Sequence, residues 1–121
     1  MILQYNLRGP IPSKKNSRIT VRATGRSFPS KKYSLWHKDS SRQMESQYKP
    51  YDPIKETKHI LLEFTFGTRH RADLTNKAES VMDLLVDLGI LKDDNFFICP
   101  QIVLTGKYEK DKAGVEVTIK V

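Results

Sequence analysis

Arg71 to Asn95 reads R-A-D-L-T-N-K-A-E-S-V-M-D-L-L-V-D-L-G-I-L-K-D-D-N, and this stretch decides the fold. Ala78, Val81, Met82, Leu85 and Leu88 recur at the spacing of a helix with one apolar face, and Gly89 supplies its stop. Such a helix has to bury its stripe against another layer, so the chain needs a sheet to receive it. Asp73 stands at the mouth of this helix, and the pair Asp93-Asp94 stands just past its end. Asn76, with Glu79 three residues on, fits a capping box; Asn76 is therefore expected to cap the helix, leaving Asp73 for other work.

Outward from the helix, the flanks read mostly as strands. Residues 2–8 (I-L-Q-Y-N-L-R) alternate apolar and polar until Gly9-Pro10 breaks them. Arg18 to Ala23 alternates again, followed by turn residues Thr24 to Ser27. Ser30 is placed to cap a helix carrying Leu35, Trp36, Met44 and Tyr48. His59 to Gly67 (H-I-L-L-E-F-T-F-G) reads as a central strand. Residues 97–106 contain a strand whose Pro100 points to an edge or a bulge. Val115 to Val121 alternates as the last strand, with Val115, Val117, Ile119 and Val121 on its apolar face. The order β-β-α-β-α-β-β predicts an α+β (mixed α/β) fold: one mixed sheet of about five strands with two main helices packed on it.

The 121 residues suit one domain, 1–121, and 38% hydrophobic content suits a folded interior. No apolar run approaches the roughly 20 residues of a membrane span, and M-I-L-Q-Y-N-L-R lacks the layout of a signal peptide. The single cysteine, Cys99, excludes an internal disulfide framework and is expected to be a small buried residue. A cytoplasmic protein without membrane partners is the expectation.

The net charge of +7 is unevenly placed. Residues 1–72 hold 15 Lys/Arg against 5 Asp/Glu, whereas residues 73–121 hold 6 against 9. A basic half joined to an acidic half fits a polyanion surface beside a cation site. The basic field contains Lys14, Lys15, Arg18, Arg22, Arg26, Lys31 and Lys32, with Arg69 and Arg71 beside Asp73. Such residues give salt-dependent, largely sequence-blind phosphate contacts. Asn16 can bond a phosphate or a base, and Lys77 and Lys92 can reach a scissile phosphate, although exposed lysines need no role. Phe28, Tyr33 and Trp36 interleave with the basic residues, so one of them is a candidate to stack on an unpaired base, with core packing the better reading of Trp36. His70, lone among arginines, reads as a phosphate contact.

Carboxylates from separate loops in a basic protein suit a divalent metal that cuts phosphodiesters. Asp73 and the Asp93-Asp94 pair fit by type and place. Glu79, Asp83 and Asp87 form an acidic stripe opposite the apolar face, and such stripes are more often solvated than functional.

The D-L-x-N start, the E-S-x-x-D helix, the glycine near its end and the closing D-D-N resemble the RusA family of Holliday-junction resolvases, in its phage-type branch. Ile11 to Arg18 (I-P-S-K-K-N-S-R) also resembles that family's N-terminal pattern. The resemblance implies a metal-dependent endodeoxyribonuclease of recombination and repair that uses Mg2+ (or Mn2+) and cuts four-way junctions. It implies three catalytic aspartates and a lysine. The first aspartate falls on Asp73 and the last on Asp94, but Thr75 occupies the second position and Glu79 the lysine's. Glu79 lies one turn beyond Thr75, and helical side chains lean toward the N-terminus. Glu79 is thus either a substitute metal ligand or a capping-box partner. Asp93 is an auxiliary ligand or a turn former, while Asn76 and Asp83 are expected around the ligands, with Asp83 as a ligand the lesser alternative. Lys14, Lys15, Asn16, Arg18, Arg69, Arg71 and Lys77 are the expected DNA contacts.

A four-way junction is two-fold symmetric and needs two coordinated nicks, which predicts a homodimer with one site per subunit. The departures at Thr75 and Glu79 keep an alternative open, a branched-DNA binding protein with weakened or lost catalysis. An RNA-binding module would suit the basic and aromatic residues but leaves the Asp-Asp turn unexplained.

Overall fold

A computed structural model describes residues 1–13, 18–20, 23–25 and 27–121. Its elements run β1 (Ile2–Arg8), β2 (Arg18–Thr20), β3 (Ser27–Pro29), α1 (Lys31–Glu45), β4 (His59–Phe66), α2 (Leu74–Asp87), β5 (Ile102–Tyr108) and β6 (Gly114–Lys120). The main sheet has the order β1-β6-β4-β5. The β1/β6 and β6/β4 pairs are antiparallel and the β4/β5 pair is parallel, with α2 as its crossover. The fold is α+β, as the pattern predicts, but the main sheet has four strands instead of five. The second stretch of strand pattern is spent elsewhere: β2 and β3 are three residues each and pair with one another in a separate ribbon.

Alternation along the strands sets which face is covered. Leu3, Tyr5 and Leu7 of β1, Ile60, Leu62 and Phe64 of β4, and Val115, Val117 and Ile119 of β6 are all buried, and α2 adds Ala78, Val81, Met82, Leu84 and Leu85 to the same core. A period of two in the strands meets a period of 3.6 in the helix, and both apolar sets leave water together. The opposite face, with Asn6, Glu63, Thr105 and Glu116, is polar, as one-sided sheets are. Gly114 allows close strand pairing, since a Cβ there would fall 2.5 Å from the Leu7 carbonyl oxygen.

The first helix begins where Ser30 places it, with the Ser30 hydroxyl accepting from the Tyr33 N–H at 3.2 Å. It stops at Glu45, so Tyr48 lies beyond it and is exposed, as is Leu35; its buried residues are Tyr33, Ser40 and Met44. The helix runs along the edge of β1. The Gln43 side chain bonds both the N–H and the C=O of Arg8 (2.7 and 3.0 Å), and Gln47 does the same for Asn6 (2.9 and 2.9 Å). Two glutamines thereby satisfy edge groups that would otherwise template further pairing. At the other end of the sheet β5 is exposed along nearly its whole length, and Pro100 precedes it instead of interrupting it.

Candidate active site and nucleic-acid interface

The second helix starts three residues earlier than the capping-box pattern predicts. Its N-cap is Asp73, in extended conformation, and Asn76 lies inside the first turn. Asp73 Oδ1 accepts the Thr75 N–H at 3.0 Å and the Thr75 hydroxyl at 2.6 Å, while Asn76 Nδ2 donates to Oδ2 at 3.4 Å. The Thr75 hydroxyl gives this cap a bond that an aspartate in that position would not give, so the cap falls on Asp73. Glu79 is too far along to close a capping box and is exposed on the polar face. Capping does not use up Asp73, because a carboxylate offers about four lone-pair sites.

The far end of α2 is closed by Leu88 as C-cap and by Gly89 at φ 73°, the left-handed conformation that glycine favours. A tight turn follows. Asp93 Oδ1 accepts the Asp94 N–H at 2.7 Å, Asn95 Nδ2 donates to Asp93 Oδ2 at 3.2 Å, and Asn95 Oδ1 accepts the N–H of Phe97 at 3.1 Å. Buried Thr57 anchors the turn by donating its N–H and hydroxyl to the Ile98 carbonyl. These bonds push the two neighbouring acids apart. Hydrogen bonds from the Asp94 backbone and from Asn95 hold Asp93 below the usual carboxylate range. Burial, bonding to Asp93 and the charge of Asp83 raise Asp94 above it. Cys99 is buried behind this turn, and burial and the Asp94 charge push its thiol up.

The helix carboxylate whose charge adds to the rise of Asp94 is thus Asp83, a residue expected around the ligands or, as the lesser alternative, as a ligand itself. Ten residues at about 1.5 Å rise put Asp83 about 15 Å along the axis from Asp73, too far for both to ligate one ion. Among the described residues no group of three His, Cys, Asp or Glu is arranged to hold a metal, so Asp73, Glu79, Asp93 and Asp94 are not drawn into one cluster. The donor chemistry still suits Mg2+, which needs only one or two carboxylates together with water and substrate phosphate. A cation beside Asp94 would relieve the crowding of like charge that raises its carboxyl. On the other side of the acidic stripe α1 packs against α2. The Tyr33 hydroxyl is pushed up to about 12 by burial and by Asp83, Asp87 and Glu79, and His37 Nε2 lies 3.0 Å from Asp87 Oδ2.

Beyond the N-terminus of α2 lies an open cleft of about 760 Å³. Its floor includes Ile11, Phe64 and Phe66, and its walls carry Arg8, His70, Arg71, Lys77 and Lys112 with Asp111. Arg71, His70 and Lys77 are expected phosphate contacts that the fold brings together. Arg8 and Lys112 escape a sequence reading because β1 and the β5–β6 turn meet only in the folded sheet. Burial, and then the charge of Lys32, lower the Lys77 ammonium below its usual value. Arg69 lies over the Tyr108 ring, 4.7 Å from its centroid. Lys14, Lys15, Asn16, Arg22 and Arg26 lie outside the described residues, and Arg18 lies on β2. Of the aromatic stacking candidates, Tyr33 is buried, and Trp36 packs partly buried against the core as expected.

A four-stranded mixed sheet, a crossover helix flanked by carboxylates and a basic cleft at that helix's start describe an acid-bearing α+β domain built to meet a polyanion. Residues 9–120 match the family model of Endodeoxyribonuclease RusA, and the chain belongs to that family. No curated protein matches it. Membership implies an endodeoxyribonuclease acting on Holliday junctions.

Proposed function

We propose that residues 1–121 form one Mg2+-dependent endonuclease domain that resolves four-way DNA junctions by paired phosphodiester hydrolysis, in recombination and repair. The observation that carries this reading is the family match over residues 9–120, which includes Asp73 and the Asp93-Asp94 turn. In this reading Asp73, Asp94, Glu79 and Asp93 are the carboxylates that serve Mg2+ (or Mn2+), each with water and substrate phosphate and not as one preformed cluster, and Asp83 and Asn76 lie around them. The bound ion would supply a nucleophilic water and neutralise charge on the leaving oxygen. Arg71, Lys77 and the rest of the basic cleft bind and orient phosphates, and Lys14, Lys15, Asn16 and Arg18 extend that contact.

A homodimer follows from the two-fold symmetry of the junction. The β5 edge, unpaired among the described residues and with Ile102 and Val103 exposed, supports it, because α1 closes the opposite edge. A cytoplasmic setting, in a phage or prophage context, suits the DNA substrate; no helix among the described residues is long and apolar enough to cross a membrane. The deciding experiment incubates the protein with a labelled four-way junction and a linear duplex, with and without Mg2+. Symmetric nicks in the junction alone, dependent on Mg2+, are expected. Binding without cutting would favour the second reading, a branched-DNA binding protein. Thr75 and Glu79 at two family catalytic positions, and the lack of a three-ligand cluster among the described residues, support that reading.

A further inference from the structure

Immediately after Asp94 and Asn95, the chain exposes two phenylalanines side by side. Phe96 is 70% and Phe97 77% exposed, and their rings stack with centroids 4.2 Å apart at 29°. Their backbone is not loose. Asn95 Oδ1 accepts the N–H groups of Phe97 and Ile98, the Asn95 carbonyl accepts from Ile98 and Cys99, and buried Thr57 pins Ile98 from behind. Fixing two apolar rings in water on a braced turn has no folding benefit, since the core lies behind Ile98 and Cys99.

We infer that Phe96 and Phe97 are specificity-determining residues that stack on an unpaired or unstacked nucleobase at the branch point of the DNA, an inference that rests on the junction-nuclease reading. Three observations select this occupant. The rings ride on the turn that carries Asp93 and Asp94, so what they touch lies next to what the site acts on. The rings themselves carry no charge and are flanked by carboxylates, so they offer a phosphate no partner of their own, and what they take is an uncharged flat face while phosphates go to the basic residues and the metal site. Two aromatic side chains offer roughly 150–250 Å² each, well short of the roughly 800 Å² per partner of a stable protein interface. A linear duplex keeps its base faces stacked inside, whereas a branch point exposes them. Stacking tolerates any base, because every base has a π-face. Selectivity for branched over linear DNA would follow with no base-edge contact.

The test compares wild type with the double variant Phe96→Ala/Phe97→Ala and with Phe96→Leu/Phe97→Leu, which keeps apolar bulk but removes the ring faces. Affinities for a four-way junction and a linear duplex are measured in EDTA, where no cutting occurs, with 2-aminopurine at the branch point reporting stacking. The alanine variant should lose about 10-fold or more in junction affinity, with duplex affinity within about 2-fold and the 2-aminopurine signal abolished. The leucine variant should lose the signal as well. An unchanged junction-to-duplex ratio in both variants overturns the inference. So does conversion of a dimer to a monomer by sedimentation, which would make the patch an interface between copies. Nicking by wild type in Mg2+ is read separately. Its absence, with the 2-aminopurine response intact, would remove the nuclease reading and leave the stacking contact standing.

Discussion

Asp73 caps the second helix in the structure and, in the proposed reading, also serves the metal; the right substitutions separate the two. Replacing it with Ala removes the acceptor of the Thr75 N–H and hydroxyl bonds at 3.0 and 2.6 Å. Loss of such a cap costs about 1 kcal/mol. Loss of the negative charge at the helix start adds about 0.3–1 kcal/mol. At an unfolding entropy of about 2.1 cal/mol/K per residue, 1 kcal/mol corresponds to about 4 °C in a chain of this length. Asp73→Ala should therefore lower Tm by about 5–8 °C. Asn is as good a cap as Asp, so Asp73→Asn gives up only the charge and should lower Tm by about 1–4 °C. Nicking should rank differently: both variants should be inactive, the more stable Asn variant as fully as the Ala variant, with junction binding retained. Thermal melts, gel shifts and nicking assays on the same preparations decide it. Wild-type cutting by Asp73→Asn would show that Asp73 is a cap alone. If Asp83→Asn then abolished cutting, the centre would lie at the other end of α2, beside Asp94.

Asp94→Asn should also abolish nicking, and it should stabilise the free protein at neutral pH. The folded-state carboxyl is raised by burial and by Asp93 and Asp83, so ionisation at neutral pH costs folding free energy that the amide avoids. The difference in Tm should shrink as pH falls and vanish below about pH 4, where the acid is neutral in both states; a gap that is constant with pH would contradict this. Glu79→Gln should reduce nicking and Mn2+ affinity by calorimetry with Tm within about 2 °C of wild type, because Asp73 and not a capping box starts the helix. Full activity in that variant would remove Glu79 from the ligand set. Lys14→Ala/Lys15→Ala should weaken DNA binding at low salt and flatten the slope of log affinity against log salt by up to about 2 units. An unchanged slope would place the DNA elsewhere.

Periodicity made the layers legible. The strands β1, β4 and β6 and the helix α2 follow from alternation and helical spacing, because one-sided burial imposes those periods on any sequence that folds this way. Ser30 and Gly89 punctuate as their chemistry requires, and Cys99 is buried as expected. What depends on contacts between distant segments was not legible. Strand order, the glutamine closure of β1 and the joining of Arg8 and Lys112 to Arg71 and Lys77 arise only when the sheet forms. The cap was misplaced because Asn76 and Asp73 both satisfy the local pattern, and the Thr75 hydroxyl favours one of them only in three dimensions. The carboxylates can be read along the sequence, but which of them are neighbours in space cannot. Helical spacing orders Asp73, Glu79 and Asp83 along one element, whereas the return of the chain after Gly89 chooses which of them meets Asp94. A residue's type and place along a helix are local properties that sequence determines; its electrostatic neighbours are set by the path of the rest of the chain, which tertiary packing alone decides.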